Sequence, residues 1–144
     1  MDVASLTLEH LLETSDFVSI QATFSPETKH MLGMEQFRKM KPTAYIINVG
    51  RGAFIDQAAL YTALSNSYIA GAALDVVEEE PAGIGSEHPL LTLDNVIITA
   101  HSAYYSEQSA AKYRQRIYEA VASIVHGKWP EWLINPEVKE NFQK

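Results

Sequence analysis

Cysteine is absent from all 144 residues. That excludes a disulfide framework and a thiolate metal site, and it fits a reducing, cytoplasmic setting. Basic residues are scarce: 11 Lys and Arg stand against 18 Asp and Glu, for a formal charge of −7. A nucleic-acid backbone calls for a basic surface, so no direct nucleic-acid contact is expected. No apolar run approaches the ~18 residues of a membrane span, so no membrane partner is expected either. The opening MDVASLTLEHLLETSD has no basic region followed by an apolar core, and it does not read as a secretory signal. Internal repeats and low-complexity segments are missing too. What is present is the composition of a globular chain, 47% hydrophobic and 20% charged, long enough for one sizeable core.

The pattern along the chain alternates helices with short apolar strands. Leu6 to Glu13 has helical spacing, and DFVSI follows as a buried strand. SPETKHML reads as a helix start, with Ser25 as N-cap and Pro26 in the first helical position. GMEQFRKM is a helix stopped at Pro42. AYIINV is a strand between Pro42 and Gly50. Asp56 caps a helix QAALYTAL that ends near Asn66, a residue tolerant of a left-handed terminus. YIAGAALDV and NVIITA are further strands, separated by an irregular polar loop, EEEPAGIGSEHPLLTLD. Ser106 to His126 forms one long amphipathic helix ended by Gly127, before a tail with two Trp. The strands are continuously apolar, which predicts a parallel sheet covered on both faces. Strand–helix alternation predicts an open α/β sheet that binds ligands beyond the carboxyl ends of its strands.

Those ends are Ile20 to Ser25, Val49 to Gly52, Asp75 to Glu80 and Ala100 to Ala103. Taken one at a time, their residues have plain structural readings. Arg51 could be a surface cation, Asp75 the end of a strand, Glu78 to Glu80 a solvated acidic run, and His101 a structural histidine. Together at one sheet edge they describe an acid/base site. An arginine offers paired donors to an anion, a histidine moves a proton, and a carboxylate orients the histidine. Gly50 and Gly52, flanking Arg51, are expected to let a ligand approach the backbone. His88, His101 and the glutamates match no metal-binding spacing, so no metal is expected.

At these residues the chain resembles the D-isomer-specific 2-hydroxyacid dehydrogenases. LLETSDFVSI, SPETKHML, MKPTAYIINVGRGAFIDQAAL, IAGAALDVVEEEP, HPLLTLDNVIIT and AHSA fall in the family's order between Leu6 and Ser109, and MKPTAYIINVGRGAFID is the most specific of them. The resemblance implies roles by position. Arg51 would bind the substrate carboxylate and carbonyl. Glu80, before Pro81, would pair with His101, the general acid/base. Asp75 would meet the nicotinamide carboxamide, and Val49, Gly50, Arg51 and the stretch His101, Ser102, Ala103 would contact the cofactor. The implied reaction is hydride transfer between NAD, with NADP not excluded, and a 2-oxo/2-hydroxy acid pair, in a protein that is a homodimer at full length. The chain departs from the family at Ala100, where proline is usual, and at Ala22-Thr23, where Cys-Pro or a similar pair is usual. HSAYYSEQS also resembles the C-terminal-binding-protein corepressors, which implies an alternative as an NADH-sensing interaction protein.

The seven glycines form no G-x-G-x-x-G turn, the motif that seats a pyrophosphate on a helix N-terminus. The chain is therefore expected to be the C-terminal part of a longer dehydrogenase and inactive by itself. Residues 1–105 would be the C-terminal half of an NAD-binding domain with a partial Rossmann-type parallel sheet. Residues 106–144 would be a long helix and a tail returning to the substrate domain. Without the strand that carries the glycine motif, DFVSI would be an unpaired apolar edge prone to association.

Overall fold

The structure is a computed structural model that describes residues 3–80 and 84–141. Pro81 and Gly83, both used in the sequence reading, lie outside the described residues. The chain divides into two compact units, Met1–Ala103 and Tyr104–Lys144.

The first unit is an α/β layer. Strands β1 (Phe17–Ile20), β2 (Tyr45–Asn48), β3 (Gly71–Leu74) and β4 (Val96–Ile98) form one sheet in the order β1-β2-β3-β4, parallel throughout. Helix α1 (Leu8–Thr14) precedes β1, and helices α2 (Met34–Lys39) and α3 (Gln57–Ser65) lie in the β1–β2 and β2–β3 connections. Each helix begins with orphan N–H groups that need an acceptor. Thr7 Oγ1 accepts from His10 N at 3.3 Å to start α1, and Asp56 Oδ1 accepts from Ala59 N at 3.0 Å to start α3. At α2 the acceptor is Gln36 Oε1, bonded to Gly33 N at 3.1 Å.

The register places Phe17 beside Tyr45 and Tyr45 beside Gly71, so residues alternate between two faces of the sheet. One face, with Val18, Ile20, Ile46, Ala72 and Leu74, is buried in a core shared with Leu12, Phe37, Leu60 and Leu64 from the three helices. The other face was expected to be covered as well, and on it three described apolar residues are exposed. Phe17 is 69% exposed, Tyr45 44% and Ile97 67%. Continuous hydrophobicity in a strand cannot tell two covered faces from one covered face beside a row of aromatics. That row is built on its own terms. The Phe17 and Tyr45 rings stack with centroids 5.5 Å apart, and a Cβ at Gly71 would sit 2.9 Å from the Tyr45 ring.

Two local expectations also change. SPETKHML makes a single 3-10 turn, Pro26–Thr28, instead of a longer helix. The Thr28 hydroxyl accepts from Ser25 N at 2.8 Å, Lys29 is extended, and His30 turns left-handed with φ 51°. After α3 the left-handed residue is Ser67 (φ 55°), one place beyond Asn66. Asn66 stays at φ −99°, and its side-chain amide donates to the Thr62 carbonyl at 2.8 Å.

The second unit is built on α4 (Glu107–Val125), capped by Ser106, whose hydroxyl accepts from Ser109 N at 3.0 Å. The turn after it is completed by Gly127 at φ 68°. No residue of α4 is buried. Within this unit the Arg116 guanidinium lies 4.4 Å from the Trp132 ring centroid, a cation–π distance.

Candidate active site

All the polar strand ends of the first unit lie at the carboxyl edge of the same parallel sheet. That is where such a sheet leaves loops free to carry chemistry. After β2 the chain turns through Val49, Gly50 and Arg51. The turn is braced by Asn48, a fully buried polar residue in an otherwise apolar strand. Its side chain is used at both ends: Nδ2 donates to the Arg51 carbonyl at 2.9 Å, and Oδ1 accepts from Gly50 N at 3.1 Å. Sequence reasoning passed over Asn48, although a lone amide inside AYIINV was a usable signal, since a buried polar group must find partners.

Arg51 itself is exposed, and its Nη1 donates to the Gly50 carbonyl at 2.8 Å. Among the described residues no ion pair involves it. The flanking glycines turn out to serve the protein's own packing. A Cβ on Gly50 would lie 2.9 Å from the Phe54 ring, and one on Gly52 would lie 2.0 Å from the Val77 carbonyl. Gly52 is thus the point where the arginine loop lies directly on the backbone of Val77 and Glu78. At both positions the lack of a side chain is needed for the protein's own packing.

Asp75 follows β3 and is 4% exposed. Its Oδ1 accepts from Thr99 Oγ1 at 2.5 Å and from Ser102 N at 2.9 Å, while Oδ2 accepts from Ala103 N at 2.8 Å. Burial pushes its pKa up. Stronger together are the Thr99 hydroxyl, the Ala103 and Ser102 N–H groups and the nearby His101, which hold it below its ordinary 3.8. Asp75 therefore ties the segment after β4 to the end of β3, and the Ser102 and Ala103 N–H groups are directed at it.

That segment presents His101 from a left-handed backbone, φ 51°. Histidine is among the residues that tolerate this region best. Its Nδ1 lies 2.8 Å from Glu80 Oε2, with side chains 46% and 27% exposed. An ionised carboxylate only accepts, so Nδ1 carries the proton in this pair. A cleft of about 540 Å³ runs beside the pair, lined by Val77, Leu91, Ile98 and Thr99. The structure thus joins Glu80 to His101 and Asp75 to Ser102 and Ala103. Arg51 is linked to this group through the contact of Gly52 with Val77.

Glu80 is the last of three consecutive glutamates, and each has its own histidine. Glu78 Oε1 is 2.5 Å from His30 Nε2, and Glu79 Oε1 is 3.1 Å from His88 Nε2. The acidic run is therefore a set of three pairs rather than a solvated patch. Among the described residues no three His, Asp or Glu side chains gather where a metal ion could be held. No helix there is long and apolar enough to cross a membrane.

A parallel α/β layer with an acid/base pair and a buried carboxylate at its carboxyl edge defines a Rossmann-type, nucleotide-binding architecture. Comparison with known proteins carries the assignment further. The family model for the D-isomer specific 2-hydroxyacid dehydrogenase, NAD binding domain, matches residues 1–103. This chain belongs to that family. A glyoxylate reductase of Korarchaeum cryptofilum is 44% identical over 138 residues, which is 96% of this chain and 41% of the relative. Among solved structures, D-lactate dehydrogenase with NAD+ from Lactobacillus jensenii superposes with a TM-score of 0.81 at 29% identity, over 88% of this chain and 41% of that one. The NADPH-dependent glyoxylate/hydroxypyruvate reductase of Sinorhizobium meliloti, solved with NADP and malonate, gives 0.72 at 32% identity, over 81% of this chain and 36% of that one. The chain spans about two-fifths of the length of such relatives.

The donor set fits the nicotinamide end of such a cofactor. Asp75 is a buried carboxylate held ionised, and its Oδ2 has one backbone donor where a carboxylate oxygen can accept two. That leaves an acceptor position suited to an amide N–H. The seven glycines of the sequence supply no G-x-G-x-x-G cradle for the pyrophosphate.

Proposed function

We propose that this chain carries the acid/base and substrate-anchoring residues of an NAD(P)-dependent oxidoreductase that interconverts 2-oxo and 2-hydroxy acids. The observation that carries the reading is the 2.8 Å pairing of His101 Nδ1 with Glu80 Oε2 at the carboxyl edge of a sheet of this family. A bound nicotinamide supplies the hydride acceptor or donor. Arg51 presents a planar fork of donors that matches the carboxylate of a 2-oxo acid and holds it in one orientation. His101 gives its Nε2 proton to the carbonyl oxygen during reduction and takes it back from the hydroxyl during oxidation. Glu80 holds the ring through Nδ1 and so fixes its orientation toward the reactant. Asp75 keeps Ser102 and Ala103 in place beyond His101 and offers Oδ2 to the carboxamide, with Val49 and Gly50 on the neighbouring turn. The tail from 106 onward returns to a substrate domain, and the working protein is a cytoplasmic homodimer.

The test joins this chain to the part of the Korarchaeum glyoxylate reductase that it does not match, and follows NADH oxidation with glyoxylate. Turnover is expected, and His101→Ala should lower kcat by about 10²–10⁴-fold. Arg51→Ala should mainly raise KM. Undiminished turnover in His101→Ala would sink the assignment of the proton to that ring.

A further inference from the structure

The strand-end chemistry uses Glu80 and leaves Glu78 and Glu79 unexplained. Three adjacent carboxylates repel one another and would ordinarily splay into water, so the pairing of each with a histidine from a different part of the chain calls for a reason. The turn that carries them is weakly closed by its own backbone. Glu80 N reaches the Val77 carbonyl at 3.5 Å, the outer limit of a hydrogen bond. Side chains must therefore set where Glu80 points.

Glu79 is the best held of the three. Its Oε2 accepts from Gln57 Nε2 at 2.7 Å, and its Oε1 lies 3.1 Å from His88 Nε2. Gln57 is the first residue of α3, directly after the Asp56 cap. His88 is itself clamped, because its Nδ1 accepts from Leu90 N at 3.3 Å at the start of the 3-10 turn Pro89–Thr92. A ring whose Nδ1 accepts must carry its proton on Nε2, which is the nitrogen facing Glu79. The His88 side chain is only 13% exposed and that of Glu79 41%, so the histidine side of the clamp is the sheltered one. Burial raises the Glu79 pKa. Gln57, the residue's own N–H and His88 outweigh it, so the carboxylate stays ionised and attractive to its donors. Glu78 adds a lesser tie. It meets His30, whose N donates to the Ala53 carbonyl at 2.8 Å, on the loop that begins at Arg51. Both members of that pair are more than 30% exposed, where ion pairs contribute little.

We propose that Glu79, gripped by Gln57 and His88, is the positioning residue that aims Glu80 at His101. With both its oxygens engaged, Glu79 cannot swing, and the peptide joining it to Glu80 is fixed against α3 and the Pro89–Thr92 turn. Glu80 then arrives at Nδ1 without a search over rotamers. This inference rests on the Glu80–His101 reading given above, and the experiment separates the two.

The readout is the ring tautomer of each histidine in the 144-residue chain, measured by ¹⁵N NMR at a pH where the rings are neutral. His101 should carry its proton on Nδ1. So should His126, whose Nδ1 lies 2.7 Å from the Ala122 carbonyl and which serves as the internal reference. Glu80→Ala should shift His101 toward the Nε2–H form. Glu79→Ala should move the His101 ratio in the same direction by about tenfold, and Gln57→Leu by about threefold, factors in keeping with losing one or more anchoring hydrogen bonds. Glu79→Gln, which still accepts from His88, should restore much of the ratio, and His126 should not respond in any of them. If Glu79→Ala fails to fold, Gln57→Leu decides. A His101 ratio that answers to Glu80→Ala but stays within about twofold in Glu79→Ala and Gln57→Leu overturns the positioning role and leaves the acid/base pair standing. A ratio indifferent to Glu80→Ala overturns both.

Discussion

The two faces of the four-stranded sheet share one backbone and one register, yet they are built by different rules. On one face Val18, Ile20, Ile46 and Leu74 disappear into a core with Phe37, Phe54 and Leu60, each 7% exposed or less. On the other, Phe17 and Tyr45 stack across two strands and remain 69% and 44% exposed. A buried Leu or Phe contributes roughly 1.5–3 kcal/mol through area removed from water, whereas a cross-strand aromatic pair contributes about 0.2–1 kcal/mol. The contrast teaches that stability is concentrated on the helical side and at the loops resting on it. The aromatic face carries exposed apolar surface at Phe17, Tyr45 and Ile97. Exposed patches of this kind mark association sites in soluble proteins.

The comparison is broken most severely from the buried side. Phe37→Ala removes a fully buried ring from the core and should cost about 3–5 kcal/mol in urea unfolding. Gly52→Ala should cost about 1–3 kcal/mol, because its Cβ would meet the Val77 backbone, which cannot swing aside as a side chain would. The same variant should also disturb the Glu78 to Glu80 turn. An unfolding midpoint equal to wild type would show that the loop can lift away from Val77.

Asp75 contributes a smaller, pH-dependent effect. Its folded pKa lies below 3.8, so its stabilisation is fully present above that value and is lost as pH falls through the lower folded value. A plot of Tm against pH should therefore descend on the acid side, and Asp75→Asn should flatten that limb. An unchanged limb in the variant would assign acid sensitivity to other carboxylates. The smallest stability change is expected on the open face. Phe17→Ser should alter unfolding by about 0.5–1 kcal/mol at most. It should nonetheless reduce concentration-dependent association in light scattering, since Phe17 lies both on the aromatic face and on β1, an edge of the sheet. Association that persists unchanged in Phe17→Ser would place the sticky surface elsewhere, with the exposed apolar residues of α4 next in line.

Much of the fold was legible because local chemistry decides it. DFVSI, AYIINV, YIAGAALDV and NVIITA each contain one strand, Asp56 and Ser106 start their helices, and Gly127 follows the end of α4, as capping chemistry says they should. SPETKHML misled because its start signal is real but short. Pro26 and Ser25 open a turn, and the left-handed His30 closes it one residue after Lys29. At the site, Arg51, Asp75 and His101 were picked out by residue type at strand ends, and Glu80 was told from its neighbours only by the family resemblance. Asn48, Gln57, Glu79 and His88 were not, because their importance lies in whom they touch. Gln57 and Glu79 are 22 residues apart, and His30 and Glu78 are 48 apart. No spacing rule reaches that far.

The sequence by itself determined the alternation of strands and helices, the parallel α/β class of the sheet and the family to which the chain belongs. These depend on apolar periodicity, caps and a contiguous motif, all of which act over a few residues. Only the tertiary structure decided that the three glutamates divide among three histidines, that Gly52 lies against the Val77 backbone, and that Phe17 and Tyr45 stack across two strands. Those outcomes depend on which distant backbones come within a few ångströms of each other, and contact at that range is set by packing across the whole unit.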